Sequence, residues 1–373
     1  LFKNACVLTT KYANAIGIDR FDPNYTRLNP RFAFSMIDFV IFLGFGIWSI
    51  ADGWGDLISV TFSFVTFSIG VQCGIKVFVF TSSTVAELQQ YNLKRFENPA
   101  KFAKVRESLT KTAFYCKASV EILKRAYSMI GIFTILFSIS ISVAKRQFEL
   151  PYGFLVPEVN RGTWTGYLIN FAYQALQMLF AVGAILSSDL VLFNLIMNAM
   201  GQIEVIMIYL AKLSELCDKE NMVVRQKLLK ELVEIHVEHT RYKINLDDLM
   251  KAGFFLNFGC LIAEAVSCLY VLTTVDEIWY PGFLFIMCAI YQLGIACFLG
   301  SLITSKNDQL ISEIYNTSWA KLPIPEQKML QLLLFHAQNH VVFTDGFTPI
   351  DLETFMEIIK KIYSYFTVLR NFN

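Results

Sequence analysis

Charged residues are scarce in this chain: Asp, Glu, Lys and Arg make up 17% of its 373 residues, and hydrophobic residues make up 55%. A water-soluble domain is normally about one-quarter charged. The net charge is only +1 and no separate basic face can be assigned, so the sequence predicts no nucleic-acid partner. The composition therefore indicates a protein that lies in a lipid membrane.

The sequence also lacks the common motifs of catalysis and metal binding. It contains no HExxH zinc motif, no phosphate-binding glycine loop and no nucleophile elbow. His236 and His239, and likewise His336 and His340, have spacings that could hold a metal ion. Both pairs fall on predicted cytoplasmic helices, where ordinary surface histidines are more common. We therefore predict no enzyme activity, no cofactor and no metal site.

Seven apolar stretches account for most of the hydrophobic residues. The first six are each long enough for a helix that crosses a bilayer, which needs about 20 apolar residues. No proline interrupts these six, which argues against the broken helices of many transporters. The stretches lie near 32–50, 57–75, 126–144, 167–188, 252–275, 282–305 and 350–372.

The basic residues fall almost entirely on one side of these stretches. Of the 32 Lys and Arg residues, 28 lie in the N-terminal segment, in every second connection or at the inner part of the last helix. Positive charge resists translocation, so this side is predicted to be cytoplasmic. The N-terminus would then lie inside the cell and the C-terminus outside. None of the eight cysteines falls in a predicted outer loop, so no disulfide is expected.

These observations predict an all-α membrane protein with seven transmembrane helices and a cytoplasmic helical anchor domain. We assign 1–31 to a cytoplasmic N-terminal segment, and 32–305 to the first six membrane helices with a ligand pocket in their outer half and long cytoplasmic extensions. An anchor segment covers 306–347, and the last helix covers 348–373. The longer outer connection, 145–166, is expected to form a lid over the outer end of the bundle.

The last helix carries a polar stripe. The run Thr348-Pro349-Ile350-Asp351 predicts its start, with a threonine cap and a proline in the first turn. Polar side chains then share one face at intervals of three or four: Glu353, Glu357, Lys360, Ser364, Thr367 and Asn371. Such a stripe must face water or other protein. It could line a pore between several subunits, or pack against the chain's own helices through paired charges, and the sequence favours neither.

Three charged residues within the predicted membrane helices need partners. Asp38 in the first helix and Lys76 at the inner end of the second lie on the same side, so we predict an ion pair between them. Glu264 lies near the middle of the fifth helix. A structural role for Glu264 is favoured, although it could also polarise a ligand site or a gate.

The C-terminal third contains short motifs that resemble one known family. They are Trp319 with Leu322-Pro323, Glu326-Gln327-Lys328, Gln338, Leu352-Glu353-Thr354-Phe355 and the ending Tyr363-Ser364-Tyr365-Phe366-Thr367-Val368-Leu369-Arg370. With these motifs and its inverted seven-helix layout, the chain resembles the insect odorant receptors. The resemblance implies a ligand-gated, non-selective cation channel in the plasma membrane of olfactory sensory neurons. It also implies a heterotetramer with a shared co-receptor subunit.

In that family the last helix lines the pore. The ending of the co-receptor is similar, and matching Tyr365-Phe366 to it places the pore-constricting valine on Val368. The same match places a second narrow position on Phe372 and a pore glutamine on Asn371. With Ser364 from the polar stripe, the predicted pore and gate residues are Ser364, Val368, Asn371 and Phe372. The large inner-loop insertion of the co-receptor is missing, because only 63 residues separate Ser188 from Ala252. The chain is thus expected to be a tuning subunit.

Odorants of the family bind in the outer half of the bundle, among helices two to six. Small volatile ligands suit a dry aromatic pocket with few hydrogen-bonding groups. Within the matching segments the candidate ligand-binding residues are Phe64, Phe67, Phe137, Ser140, Tyr173, Gln174, Gln177 and Tyr270. For each residue taken alone, ordinary helix packing is the more common role.

Together these points predict the odorant-binding subunit of a heteromeric cation channel. The alternative is a seven-helix receptor that signals through G proteins. The inverted charge pattern argues against this alternative, as does the lack of an Asn-Pro-x-x-Tyr run.

Overall fold

The computed structural model describes residue 14 and the ranges 17–18, 29–97, 101–217, 222–276, 278–339 and 341–371. Within this part nine α-helices follow one another, with a short 3-10 turn at Trp319–Lys321. They are α1 (Pro30–Asp52), α2 (Leu57–Phe80), α3 (Ser83–Glu97), α4 (Ala103–Lys145), α5 (Trp164–Cys217), α6 (Met222–Thr274), α7 (Tyr280–Asn316), α8 (Ile324–Gln338) and α9 (Leu352–Asn371).

Six helices among the described residues are long and apolar enough to cross a membrane, namely α1, α2, α4, α5, α6 and α7. The helices α4, α5, α6 and α7 have 43, 54, 53 and 37 residues. Because a bilayer core needs about 20, they continue well beyond it. This confirms the all-α membrane fold with long helical extensions. The orientation of the termini stays a prediction.

The two ends of the bundle differ in construction. We call the end with the short connection 53–56 and the longer connection 146–163 the loop end. The opposite end contains α3, α8 and the helical extensions, and we call it the extension end. The largest hydrophobic cluster fills the extension end, where Leu210 of α5 and Leu232 of α6 are fully enclosed. The separate helix α3 was not predicted from the sequence.

The last helix begins later than the sequence predicts. It starts at Leu352, and Asp351 caps it by accepting a hydrogen bond from Thr354 N at 2.8 Å. The predicted cap at Thr348 is wrong, because this residue belongs to a preceding turn. Thr348 N donates to the Asp345 carboxylate at 2.7 Å, and the next residue, Pro349, forms a backbone bridge with 344. This turn fixes the direction in which α9 leaves the extension end.

Candidate functional site

The connection between α4 and α5 folds into the loop end of the bundle. Gly153 N donates to Thr66 Oγ1 at 3.2 Å, and Ser63 Oγ donates to Gly153 O at 2.7 Å. Leu155 N donates to Ser49 Oγ at 2.8 Å. These bonds attach the connection to α1 and α2 at the loop end, and that this end is the outer one stays a prediction.

Gln174 of α5 holds the same connection from the other side. Its Nε2 donates to Tyr152 O at 3.2 Å and to Phe154 O at 2.5 Å, and its Oε1 accepts from Tyr152 N at 2.9 Å. Gln174 is fully buried, and buried amides require such partners. Both amide hydrogens are therefore used to position the connection, and neither is left for a ligand.

A first cavity, cavity A, lies between α2, α4, the connection and the start of α7. It contains about 1230 Å³ of empty space, its mouth included. Phe62, Phe137 and Trp279 form part of its wall. The Phe62 and Trp279 rings meet edge to face at 5.8 Å. Charged side chains also line it, at Asp56, Lys145, Glu149 and Arg161, so this aromatic space has polar groups beside it.

A second cavity, cavity B, lies between α1, α2, α5 and the connection. It contains about 800 Å³ of empty space, its mouth included. Aromatic rings dominate its wall, and Phe42 meets Phe154 edge to face at 4.9 Å. Tyr152 lines both cavities. The connection therefore supplies the partition between them.

Two of the eight predicted ligand-binding residues line a cavity. Phe137 lines cavity A, and Gln177 lines cavity B. Gln174 lies behind the connection, as described above. The remaining five line neither cavity: Phe64, Phe67, Ser140, Tyr173 and Tyr270.

Phe64 and Phe67 of α2 pack between helices. Phe64 belongs to a hydrophobic cluster that contains Trp279. Phe67 lies against α1 at Gly46, where an added Cβ would come within 3.0 Å of the phenyl ring. The Phe67 side chain thus fills the contact where α1 and α2 approach each other closely.

Tyr173 packs between α1 and the connection, and Tyr270 lies on α6 away from both cavities. The Tyr173 ring packs against Phe45 and Phe154, with centroids 5.6 Å and 5.8 Å away. Tyr270 is half-buried on α6, and its carbonyl accepts a hydrogen bond from Thr274 Oγ1 at 2.8 Å.

Two serines of α4 show how helix rotation selects the residues that line the site. Ser140 is exposed and donates to Leu136 O of its own helix at 2.8 Å. Ser138 is buried, lines cavity A and donates to Glu149 O at 2.8 Å. Successive residues of a helix turn by about 100°, so positions two apart face nearly opposite directions. Sequence reasoning chose the serine on the outward face.

Sequence reasoning also missed Phe62, Tyr152 and Trp279, which line cavity A. Tyr152 lies within the connection, and Trp279 immediately precedes the first turn of α7. For Tyr152 and Trp279 this position was an available signal, because aromatic residues in or beside a connection can face the bundle when the connection folds back. Phe62, inside α2, carried no such signal.

The predicted ion pair between Asp38 and Lys76 is wrong. Lys76 Nζ pairs with Asp189 at 3.1 Å and donates to Gln292 Oε1 at 3.2 Å. Tyr127 OH donates to the same aspartate at 2.7 Å. Lys76 is buried and points into the bundle between α2, α5 and α7, so its stem does not approach Asp38. Asp189 lies one residue beyond the fourth apolar stretch, which ends near 188.

Glu264 is buried on α6 and accepts a hydrogen bond from Gln72 Nε2 of α2. It lines neither cavity. A buried carboxyl with a hydrogen-bond donor on a neighbouring helix fits the structural role that the sequence favoured.

The polar stripe of α9 is largely uncovered. Glu353, Glu357, Lys360, Ser364 and Asn371 are exposed, and Thr367 is half-buried. Within the described residues, none of the three charged members takes part in an ion pair. The alternative in which the stripe packs internally through paired charges therefore finds no support.

The opposite side of α9 packs on α6 and α7, and Ile358 and Ile362 are buried there. Val368 is 50% exposed. Phe372, the remaining predicted pore residue, lies outside the described residues. One helix with an uncovered polar face cannot enclose a pore by itself, although several copies around an axis could.

Helix α7 touches both cavity A and α9. Its first turns contribute Tyr280 and Phe285 to the cavity wall. Farther along, Leu352 N donates to Ser301 Oγ at 2.9 Å. Gly294 makes room for the Phe355 ring, which would lie 3.6 Å from an added Cβ. A displacement of α7 at the cavity can therefore reach the start of the last helix through direct contacts.

The histidines of α6 differ from expectation. His236 and His239 were expected at the surface but are buried, and His239 Nδ1 lies 3.0 Å from Gln202 Oε1. His336 is exposed on α8. His340 lies outside the described residues.

A comparison with protein-family models finds the 7tm odorant receptor model over residues 83–363. This match covers most of the chain, from α3 to the middle of α9. The chain belongs to the 7tm odorant receptor family. It is therefore a multi-pass membrane protein of a receptor family, and not an enzyme.

Curated relatives match parts of the chain. Odorant receptor 56a of Drosophila melanogaster is 33% identical over 152 residues, which is 40% of this chain and 36% of that receptor. Odorant receptor 46a, isoform B, of the same fly is 22% identical over 56% of this chain and 57% of its own length. Odorant receptor 67c is 25% identical over 41% of this chain and 37% of its own length. The chain thus spans roughly one-third to just over half of these relatives.

Solved structures match the fold over the full length. The olfactory receptor OR5 of Machilis hrabei, in its complex with eugenol, superposes with a TM-score of 0.81 and covers 100% of this chain and 98% of that chain. A second structure of the same receptor gives a TM-score of 0.76. The sequence identity is 15% in both cases, so this likeness shows the fold alone.

Proposed function

We propose that this chain is the odorant-binding subunit of a heteromeric, ligand-gated, non-selective cation channel. Its partner would be the co-receptor subunit of the family, in the plasma membrane of olfactory sensory dendrites. One observation carries the proposal: a single helix, α7, contacts both a ligand-sized cavity and a last helix whose polar face is uncovered. The eugenol complex of the similar Machilis receptor supports a small organic ligand in this fold.

Cavity A is the proposed odorant site. Its aromatic wall suits a small apolar body, and the polar groups beside it supply hydrogen bonds that orient the ligand. The Phe137 ring stacks on Phe133 with centroids 5.5 Å apart and meets Tyr280 edge to face at 6.4 Å. A ligand that displaces Phe137 would thus act on α4 and α7 together.

The proposed response runs along α7. Binding in cavity A shifts the first turns of α7 through Tyr280 and Phe285. The same helix then moves α9 through the contacts at Gly294 and Ser301. Coupling through packed side chains of a rigid helix is physically sufficient when the two helices have more than one stable arrangement.

The proposed pore is formed by one α9 from each of several subunits. Ser364 and Asn371 would face the water-filled path, and Val368 would form an apolar constriction that gates by dewetting. The exposed state of these three side chains in the single chain supports the arrangement. Residues 1–31 and 306–347 would lie in the cytosol, where the second segment contributes to assembly.

Recording from excised patches tests the proposal. The chain is expressed with the co-receptor, and a panel of volatile aromatics and esters is applied without GTP. We expect fast odorant-evoked cation current that requires both subunits. Current that requires GTP would favour the G-protein alternative, and a lack of odorant-dependent current would reject the channel.

A further inference from the structure

We propose that cavity B is a second ligand site, which binds a small amphiphile through a protonated amine. The apolar body would fill the cavity, and the ammonium group would pair with Asp38. The site is separate from cavity A and does not depend on the proposed channel function.

Asp38 carries the formal charge in the described part of the wall of cavity B. Among the described lining residues it is the only Asp, Glu, Lys, Arg or His. Most of the others are apolar, and five phenylalanines dominate: Phe32, Phe39, Phe42, Phe154 and Phe180. Gly70 and Gly74 of α2 accommodate two of these rings, because an added Cβ would collide with Phe42 or Phe39.

The negative charge of Asp38 has hydrogen-bond donors beside it but no cationic partner among the described residues. Gln177 Nε2 donates to both carboxylate oxygens, at 2.9 Å and 2.8 Å. Among the described residues no Lys, Arg or His forms an ion pair with Asp38. A carboxylate at membrane depth is costly unless a cation or several donors accompany it. A cationic ligand would supply the missing charge.

The donors in the wall are already committed. Thr66 Oγ1 donates to Phe62 O at 2.7 Å, and Ser35 Oγ donates to Arg31 O at 3.0 Å. Tyr152 OH donates to Met178 Sδ. Among the described lining residues, only the weakly donating thiol of Cys73 is then left to donate, whereas the Asp38 carboxylate can accept. This favours a ligand that brings hydrogen-bond donors, such as an amine, over one that brings only acceptors, such as an ester.

Access to cavity B is from the side of α1. This helix packs on α2 and reaches α5 through side-chain contacts, such as Asp38 with Gln177 and Phe45 with Tyr173. At the other end of the cavity, Ile18 packs against Phe32, Val77 and Phe180, which belong to the cavity wall. The face of α1 that points away from the bundle is apolar and exposed, as Phe34, Ile37 and Val40 show. An amphiphile dissolved in the membrane could therefore enter between α1 and α5.

Matched ligands test the charge. The full-length chain is purified with its co-receptor, and binding of 2-phenylethylamine and of 2-phenylethanol is measured by thermal stabilisation. We expect the amine to bind the wild-type protein at least tenfold more tightly than the alcohol, because the two differ mainly in charge. Equal affinities would overturn the proposal, and this comparison requires no variant.

Asp38→Asn then tests the residue. The substitution removes the charge and keeps a side-chain oxygen that can accept from Gln177. We expect the affinity for the amine to fall tenfold or more and that for the alcohol to stay within about twofold. Phe137→Ala in cavity A should leave the affinity for the amine unchanged. An unchanged affinity in Asp38→Asn would overturn the assignment whether or not the protein conducts.

A lipid with an amine head group could also occupy the site. A third experiment therefore distinguishes a lipid from a free amine. Amine binding is measured in nanodiscs of phosphatidylethanolamine and of phosphatidylglycerol. Equal binding in both would assign the site to a free amine. Loss of binding in phosphatidylethanolamine alone would support the ammonium site but assign its occupant to the lipid.

Discussion

The loop end and the extension end use the same helices in different ways. At the loop end, Ser, Thr, Asn and Gln side chains hold an irregular connection, and two cavities remain between the helices. At the extension end, one hydrophobic cluster joins α5, α6, α7 and α8. A buried ion pair, Arg225 with Glu326, links α6 to α8 there. The contrast shows that one bundle can provide space for a ligand at one end and a rigid frame at the other.

The largest expected effect comes from breaking the Arg225–Glu326 pair. Arg225 Nε lies 2.7 Å from Glu326, and both side chains are buried. Glu326→Ala would leave a buried guanidinium without its partner, at a cost of about 3–5 kcal/mol. We expect a large drop in the thermal unfolding midpoint and loss of surface expression.

The exposed pair between Lys212 and Glu215 provides the control for that change. Glu215→Ala should change stability by less than about 1 kcal/mol, because surface pairs contribute little. If Glu326→Ala and Glu215→Ala lowered the free energy of unfolding by similar amounts, the view that the extension end is a rigid frame would be contradicted.

A smaller effect is expected from Gln174→Ala at the loop end. The substitution removes three hydrogen bonds to the connection and leaves backbone groups of Tyr152 and Phe154 buried without partners. The expected total cost is about 1–3 kcal/mol, because water can reach the half-buried Tyr152 and satisfy part of the freed groups. Hydrogen exchange across 146–163 should accelerate, while exchange in α6 and α8 stays unchanged. Gln331→Ala, an exposed substitution on α8, should alter neither region.

The smallest effect concerns ligand response. Phe137→Ala removes an aromatic wall of cavity A and should raise the odorant concentration for half-maximal current by roughly tenfold, or about 1.4 kcal/mol. Ser140→Ala, three residues on and on the exposed face of the same helix, should leave the dose–response curve unchanged. Equal shifts in the two variants would place the odorant outside cavity A.

The sequence predicted the architecture well because a bilayer imposes strong rules. Scarce charge, apolar stretches of about 20 residues and amphipathic continuations are sufficient to indicate six long helices. The helix boundaries were less accurate at α9, where Thr348 and Pro349 read as a cap but belong to a turn. That turn depends on Asp345 and on a bridge to 344, and neither contact has a periodic signal.

The site was predicted less well, because it depends on how each helix is rotated about its axis. Membrane helices that are apolar on most sides carry little periodic signal of this rotation, so Ser140 could not be distinguished from Ser138. The Asp38–Lys76 prediction was wrong for a related reason. The position of a residue in the sequence indicates its depth in the membrane. Which aspartate pairs with Lys76, Asp38 or Asp189, depends instead on which face of α2 points into the bundle.

In the proposed channel, the polar face of α9 borders the path of the ions. This arrangement is tested most directly by odorant-evoked current from Ser364→Cys receptors, co-expressed with the co-receptor and treated with a charged thiol reagent. Ile362→Cys, on the buried face of the same helix, is the control. We expect the reagent to change the evoked current of Ser364→Cys receptors and not that of Ile362→Cys receptors. Unchanged current at 364, despite labelling of the cysteine, would contradict this arrangement.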